Sequence, residues 1–184
     1  DAGIFRRTLV ADIRAIVVEE TAEAAIAKRI KPLSKRLAAD KSWFDEAYRE
    51  IDIKQGFGLH LLHEEENHDL AVFVISWAPG KGLAAHNHKT WAVVAGIEGQ
   101  EHETNYRRLD DCSRPGFAAL QTSHEVTLFP GDAVCCMPAA IHRVWNNGPK
   151  LAVSFPTYGP HVNHPGPSLF HLLSPPPLPW LCHA

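Results

Sequence analysis

Gly80-Lys81-Gly82-Leu83-Ala84-Ala85-His86-Asn87-His88 is the stretch on which the reading of this chain turns. A glycine turn leads into a short run that carries His-x-His. In a β-strand, residues i and i+2 project from one face, so a strand here sends both imidazoles into the same space. Histidine is the commonest metal ligand among the side chains, and His86 and His88 are expected to share one ion. Some fifty residues on comes a second run, Phe129-Pro130-Gly131-Asp132 and then Met137-Pro138-Ala139-Ala140-Ile141-His142-Arg143-Val144-Trp145-Asn146. A Pro-Gly turn opens one strand there, and Pro138 precedes a single histidine on the next.

The surroundings of both runs read as β-structure. Segments 57–63, 70–77, 90–95, 100–108, 124–129, 133–137, 143–146 and 151–158 are rich in β-branched and aromatic residues, with Gly, Pro, Asn or Asp turns between them. Short strands at this spacing, with no alternating helices, predict an antiparallel sandwich or barrel. Upstream the period changes. Leu9, Ile13, Ile16 and Val17, then Ile26, Ile30, Leu33 and Leu37, recur at helical spacing. Thr21 is the expected N-cap of the second helix, Pro32 is expected to kink or split it, and a short third helix is expected over 43–50. The organisation expected is a helical segment at 1–50 packed on a barrel at 51–164, followed by a Pro-rich tail at 165–184.

Composition limits the function classes. The chain has 184 residues, 45% hydrophobic and 21% charged, with a formal net charge of −3. That balance gives no electrostatic reason to expect nucleic acid. No run of 18 apolar residues predicts a membrane span, and the opening residues lack the layout of a signal peptide. Cys112, Cys135, Cys136 and Cys182 form no CxxC pair, so reduced thiols and a cytoplasmic location are expected. There are 12 His and 14 Pro; spacing singles out three of the histidines.

The two runs resemble the two motifs of the cupin superfamily. Gly80, His86, His88 and Gly99 fit the first, and Gly131, Pro138, His142 and Asn146 fit the second, with Ala140 where glycine is usual. The resemblance implies a mainly β cupin fold, a double-stranded β-helix (jelly-roll) barrel, here with N-terminal α-helices. It implies a metal held by His86, His88 and His142. The glutamate ligand of many cupins would fall at Ala92 or Val93, neither of which binds metal. A three-His set without a carboxylate leaves the ion its full charge and open positions. Within cupins this set is similar to that of the thiol dioxygenases, the cysteine and 3-mercaptopropionate dioxygenases. The stretches 88–99 and 141–144 carry that likeness most specifically.

Three positions depart from that family. The cysteine that some members cross-link to tyrosine corresponds to Val93. The arginine that grips the substrate carboxylate corresponds to His60, a weaker and non-bidentate partner. The Ser-x-His-x-Tyr relay reads Ser154-Phe155-Pro156-Thr157-Tyr158, with proline in the middle. Ser154 and Tyr158 remain candidate catalytic residues. Arg107, Arg108 or Arg143 is a candidate cation for an acidic substrate; Asn105 and Arg107 share one face of their strand and Tyr106 and Arg108 the other, and one pair points inward. Trp91 is a candidate wall of the substrate pocket. The expected function is a mononuclear Fe(II) dioxygenase that oxidises a small thiol to a sulfinate with O₂, as a monomer or homodimer. Nickel and zinc also suit three imidazoles. Two alternatives stand beside it: a three-His dioxygenase that cleaves a C–C bond of a diketone-like substrate, and a non-catalytic metal- or ligand-binding cupin.

Overall fold

The computed structural model describes residues 2–111 and 118–160. The proposed tail at 165–184, together with Cys112 and Cys182, lies outside them. Two helices come first, α1 (Ala2–Glu19) and α2 (Glu23–Ala39). Nine strands follow among the described residues: β1 (Phe57–Glu64), β2 (Ala71–Trp77), β3 (Gly82–His86), β4 (Ala92–Glu98), β5 (Glu101–Arg108), β6 (Leu120–Leu128), β7 (Ala133–Cys136), β8 (Ile141–Trp145) and β9 (Ala152–Tyr158). All the pairings between them are antiparallel. They build a five-stranded sheet, β1-β2-β9-β4-β7, and a four-stranded sheet, β3-β8-β5-β6. Among the described residues no helix is long and apolar enough to cross a membrane.

The helical region differs from expectation in three details. Thr21 does not cap α2. The N-cap is Ala22, and the carboxylate of Glu20 accepts hydrogen bonds from the backbone N–H groups of Thr21 and Ala22, both at 3.0 Å. An acidic side chain near a helix N-terminus satisfies orphan donors just as a hydroxyl cap does. Pro32 does not split α2, which runs unbroken past it; Ile26, Ala27, Ile30, Ser34 and Ala38 form one buried stripe that packing holds in place. Residues 43–50 form no α-helix. Two short 3₁₀ turns, Lys41–Trp43 and Glu46–Arg49, are each started by an aspartate, Asp40 or Asp45, whose side chain accepts from the backbone two residues on.

One sheet carries two interiors. The helix-facing side of the five-stranded sheet contributes Val72, Val74, Trp91, Val93, Ala95, Ile97, Val153 and Phe155 to a core shared with Ile13, Ile26, Ile30 and Trp43. The other side meets the four-stranded sheet: Trp77 and Ala152 pack with Val144 of β8. Because strands alternate faces, β4 and β9 are buried on both sides, with burial continuous from Ala92 to Ile97 and from Ala152 to Thr157. The sheet therefore faces the second sheet on one side and the helices on the other.

Candidate metal centre

The three histidines arrive from two neighbouring strands. β3 pairs with β8, placing His86 directly opposite His142, after a register shift between Leu83 and His86. The sequence reading put His86 and His88 on one strand; β3 in fact ends at His86, and His88 lies beyond it. The chain turns there through Lys89, which adopts φ 56° and donates its backbone N–H to Pro138 O at 3.2 Å. This link ties the turn after His88 to the segment that leads into β8. Asn146, the last residue of the second motif, is structural: it is fully buried and donates to Trp77 O and Lys150 O at 2.9 and 2.7 Å.

The imidazoles converge. Ring centroids lie 4.8 Å apart for His86 and His88, 4.6 Å for His86 and His142, and 4.9 Å for His88 and His142. One ring nitrogen from each falls within 4.8 Å of the others. His86 Nδ1 lies 2.7 Å from Ala84 O; a carbonyl only accepts, so Nδ1 carries the proton and Nε2 keeps its lone pair. His88 Nε2 and His142 Nε2 approach to 2.8 Å. Two basic nitrogens that close must share a proton or an ion. Nitrogens bound at right angles, each ~2.1 Å from a divalent ion, would sit about 3 Å apart. The donor set thus fits a single cation. Burial, then the charge of His142, push His86 down to about 4, and burial with both neighbours pushes His88 well below its ordinary value. Neutral imidazoles are the form that binds metal.

Acidic and thiol groups behind the trio were not singled out by sequence. Glu101 and Glu103, two apart on β5, are both buried. Glu101 Oε2 accepts from Trp77 Nε1 and from Ser154 Oγ, each at 2.8 Å, and burial raises its pKa. Glu103 Oε1 lies 3.3 Å from His142 Nδ1 and accepts from Asn105 Nδ2 at 2.7 Å. Burial alone would raise Glu103; the hydrogen bond and charge of His142, with the Asn105 amide, outweigh it and hold the carboxyl below its ordinary value. Cys136 Sγ is 3.8 Å from His142 Nδ1, and burial pushes its thiol up. Glu103, Cys136 and His142 form a second cluster of ligand-type groups, wholly buried. The Glu-x-Glu alternation on a strand was the signal for these residues, and it passes equally well for a solvated face. Cys135 and Cys136 are both free thiols, Cys136 buried but Cys135 exposed.

The other nominated residues divide. Tyr158 stands beside the trio, its ring 5.0 Å from that of His88 and 6.1 Å from Phe73, and burial raises its pKa, which keeps the phenol protonated. Ser154 faces the same interior but spends its hydroxyl on Glu101. Two candidates for substrate contact, His60 and Trp91, lie on the helix-facing side. His60 sits opposite Val74 on the helix-facing side of its sheet, with Nε2 3.1 Å from Glu50 O and its ring 5.7 Å from Tyr48. Trp91 is buried in the helix-facing core. Arg107 is exposed and donates to Gln121 Oε1 at 2.6 Å. Arg108 pairs with Asp110, and the exposed Arg143 lies over the Trp145 ring. Val93 also points toward the helices; Ala92, opposite Tyr158 in register, is the β4 residue on the site's side.

No family model matches the chain. Among solved structures, it is similar to an uncharacterised conserved protein with a double-stranded β-helix domain from Klebsiella pneumoniae, at 17% identity and a TM-score of 0.50, covering 68% of this chain and 90% of that one. An RmlC-like cupin family protein from Methanocaldococcus jannaschii matches at 14% identity and a TM-score of 0.44, over 61% of this chain and 88% of the other. KdgF from a Halomonas species matches at 14% identity and 0.48, over 64% and 92%. The fold is therefore mainly β, a double-stranded β-helix with two N-terminal helices, and its interior brings together histidine, glutamate and cysteine groups that could hold a metal ion.

Proposed function

We propose that this chain is a mononuclear non-heme iron dioxygenase acting on a small thiol. The observation that supports it best is the convergence of three imidazoles, His86, His88 and His142, with no carboxylate beside them on β4, where Ala92 stands. A ferrous ion bound there would supply the redox chemistry that adds both atoms of O₂ to a thiol sulfur, giving a sulfinate. The chain's own part is arrangement. His86 keeps its proton on Nδ1 through Ala84 O and presents Nε2. Tyr158, protonated and next to His88, donates a hydrogen bond to a polar group of the substrate. Ala92 and Phe73 give that side of the site an apolar wall that limits water.

The test is anaerobic loading with Fe(II), then O₂-electrode traces with cysteine, 3-mercaptopropionate, cysteamine and mercaptosuccinate, with His86→Ala as control. Thiol-dependent uptake that vanishes in His86→Ala is the expected result; no uptake with any thiol sinks the reading. One observation favours a second substrate class. Of the nominated carboxylate partners, His60 lies on the helix-facing side of its sheet, opposite Val74, and Arg107 is engaged with Gln121. A diketone that chelates through two oxygens needs neither. A visible-band shift with a diketone and none with thiols would select it.

A further inference from the structure

We infer that Glu103 is a positioning residue for the metal site: it stands behind His142, fixing the ring's tautomer and orientation, and supplies from β5 a negative charge that β4 lacks. The inference rests on the three-His reading and adds a fourth residue to it. His142 is buried between two groups of partners. Its Nε2 faces His88 at 2.8 Å, and its Nδ1 faces Glu103 Oε1 at 3.3 Å. A carboxylate accepts and does not donate, so the proton belongs on Nδ1 and the Nε2 lone pair is left for an ion. A ligating imidazole commonly rests its other N–H on a carboxylate in this way, which fixes the ring and raises its basicity.

The strand register builds the contact. Asn105 pairs with His142 and Glu103 with Val144 across β5 and β8. Glu103 and Asn105 share the inward face of β5, so Glu103 reaches His142 diagonally while Asn105 Nδ2 holds the same carboxylate oxygen at 2.7 Å. Glu103 is only 4% exposed, and a buried carboxylate is kept where partners satisfy it. Cys136 also approaches Nδ1, at 3.8 Å, but a thiol is a weak acceptor and would leave the ring poorly anchored.

The test is Co(II) titration followed by visible absorption, run on the wild type, Glu103→Ala, Glu103→Gln and His86→Ala. Glu103→Ala should weaken Co(II) binding about 10- to 100-fold and shift the cobalt bands. Glu103→Gln keeps an acceptor oxygen and nearly the same volume, so it should recover part of the affinity; it also serves if Glu103→Ala does not fold. Wild-type affinity and spectrum in Glu103→Ala, or in Glu103→Gln where the alanine variant does not fold, with binding lost in His86→Ala, would overturn this inference alone. Cobalt binding indifferent to His86→Ala would overturn the three-His reading beneath it. A sulfur-to-cobalt charge-transfer band that disappears in Cys136→Ser would place the ion in the Glu103–Cys136–His142 cluster and overturn the positioning role.

Discussion

Ser154 and Tyr158 stand four residues apart on one face of β9, with Pro156 between them, and their surroundings give them different work. The hydroxyl of Ser154 donates to Glu101 within the buried Trp77–Glu101–Ser154 group. The phenol of Tyr158 lies at the imidazoles. Tyr158→Phe should reduce turnover on the accepted substrate by about 10²-fold with Co(II) affinity unchanged, measured by O₂ uptake per bound metal. Ser154→Ala should behave in the opposite way. It removes one of two donors to a buried carboxyl and should cost about 1–3 kcal/mol in urea unfolding while turnover per metal holds. Equal loss of turnover in both variants would mean that Ser154 still works with Tyr158. The family pattern nominated both residues without assigning them a face. It did not reveal Glu101, the partner that separates their roles, because that partner comes from β5 in the opposite sheet.

At the scale of elements, the site depends on how closely β3 lies on β8. A Cβ built on Gly82 would meet Val144 O at 2.1 Å and Trp145 Cα at 2.4 Å, both backbone atoms that cannot turn aside. Gly82→Ala should push β3 outward and carry His86 with it. The expected outcome is a lower Tm together with weaker Co(II) binding, although Gly82 touches no ligand; unchanged metal affinity would show that His86 is held independently of the strand. A second element is fixed by charge. Glu98, at the end of β4, takes Arg49 Nε and Nη2 at 2.8 and 2.7 Å and Lys41 Nζ at 3.0 Å, clamping both 3₁₀ turns to the sheet. The Arg49 bonds, and Lys41 in addition, hold the Glu98 carboxyl at about 2 despite partial burial. Between that value and the ordinary 4.5 the unfolded chain binds more protons than the folded one, so stability rises with pH across this window. The contribution is complete above 4.5 and disappears as pH falls through about 2. Glu98→Gln should cost about 1 kcal/mol near neutrality, less at high salt, and should flatten the acid limb of a Tm–pH curve. An acid limb identical to wild type would rule the clamp out. Neither the clamp nor the 3₁₀ turns were legible beforehand: a short helix was expected over residues 43–50, whereas Asp40 and Asp45 start two 3₁₀ turns that Glu98, from β4, fastens to the sheet.

For the whole molecule, one five-stranded sheet separates two interiors, and this explains which residues were misplaced. The convergence of His86, His88 and His142 was readable because they lie next to glycine and proline turns that fix where each strand starts. His60 was matched to the site by counting along a strand, Trp91 was nominated as a pocket wall, and Val93 was the position matched to a family cysteine. Counting tells which residues share a face, but the hydrophobic pattern must then tell which face is inward. Here β4 is apolar on both sides, since helices cover one and the second sheet covers the other, so the pattern carries no sign. All three residues belong to the helix side. The same division predicts that the two interiors can be damaged separately. Ile30, at 0% exposure, fills the helix-facing core with Val93, Ile97 and Phe155. Ile30→Ala should remove about 2–5 kcal/mol of unfolding free energy and leave Co(II) affinity of the folded protein at the wild-type value, because the groups around the cavity are not those around the ion. Chemical denaturation and cobalt titration of the same preparation measure the two quantities side by side. If the cavity also weakened metal binding in proportion, strain would be crossing the sheet through β4 and β9, and the helices would be part of the site's support instead of a separate cover.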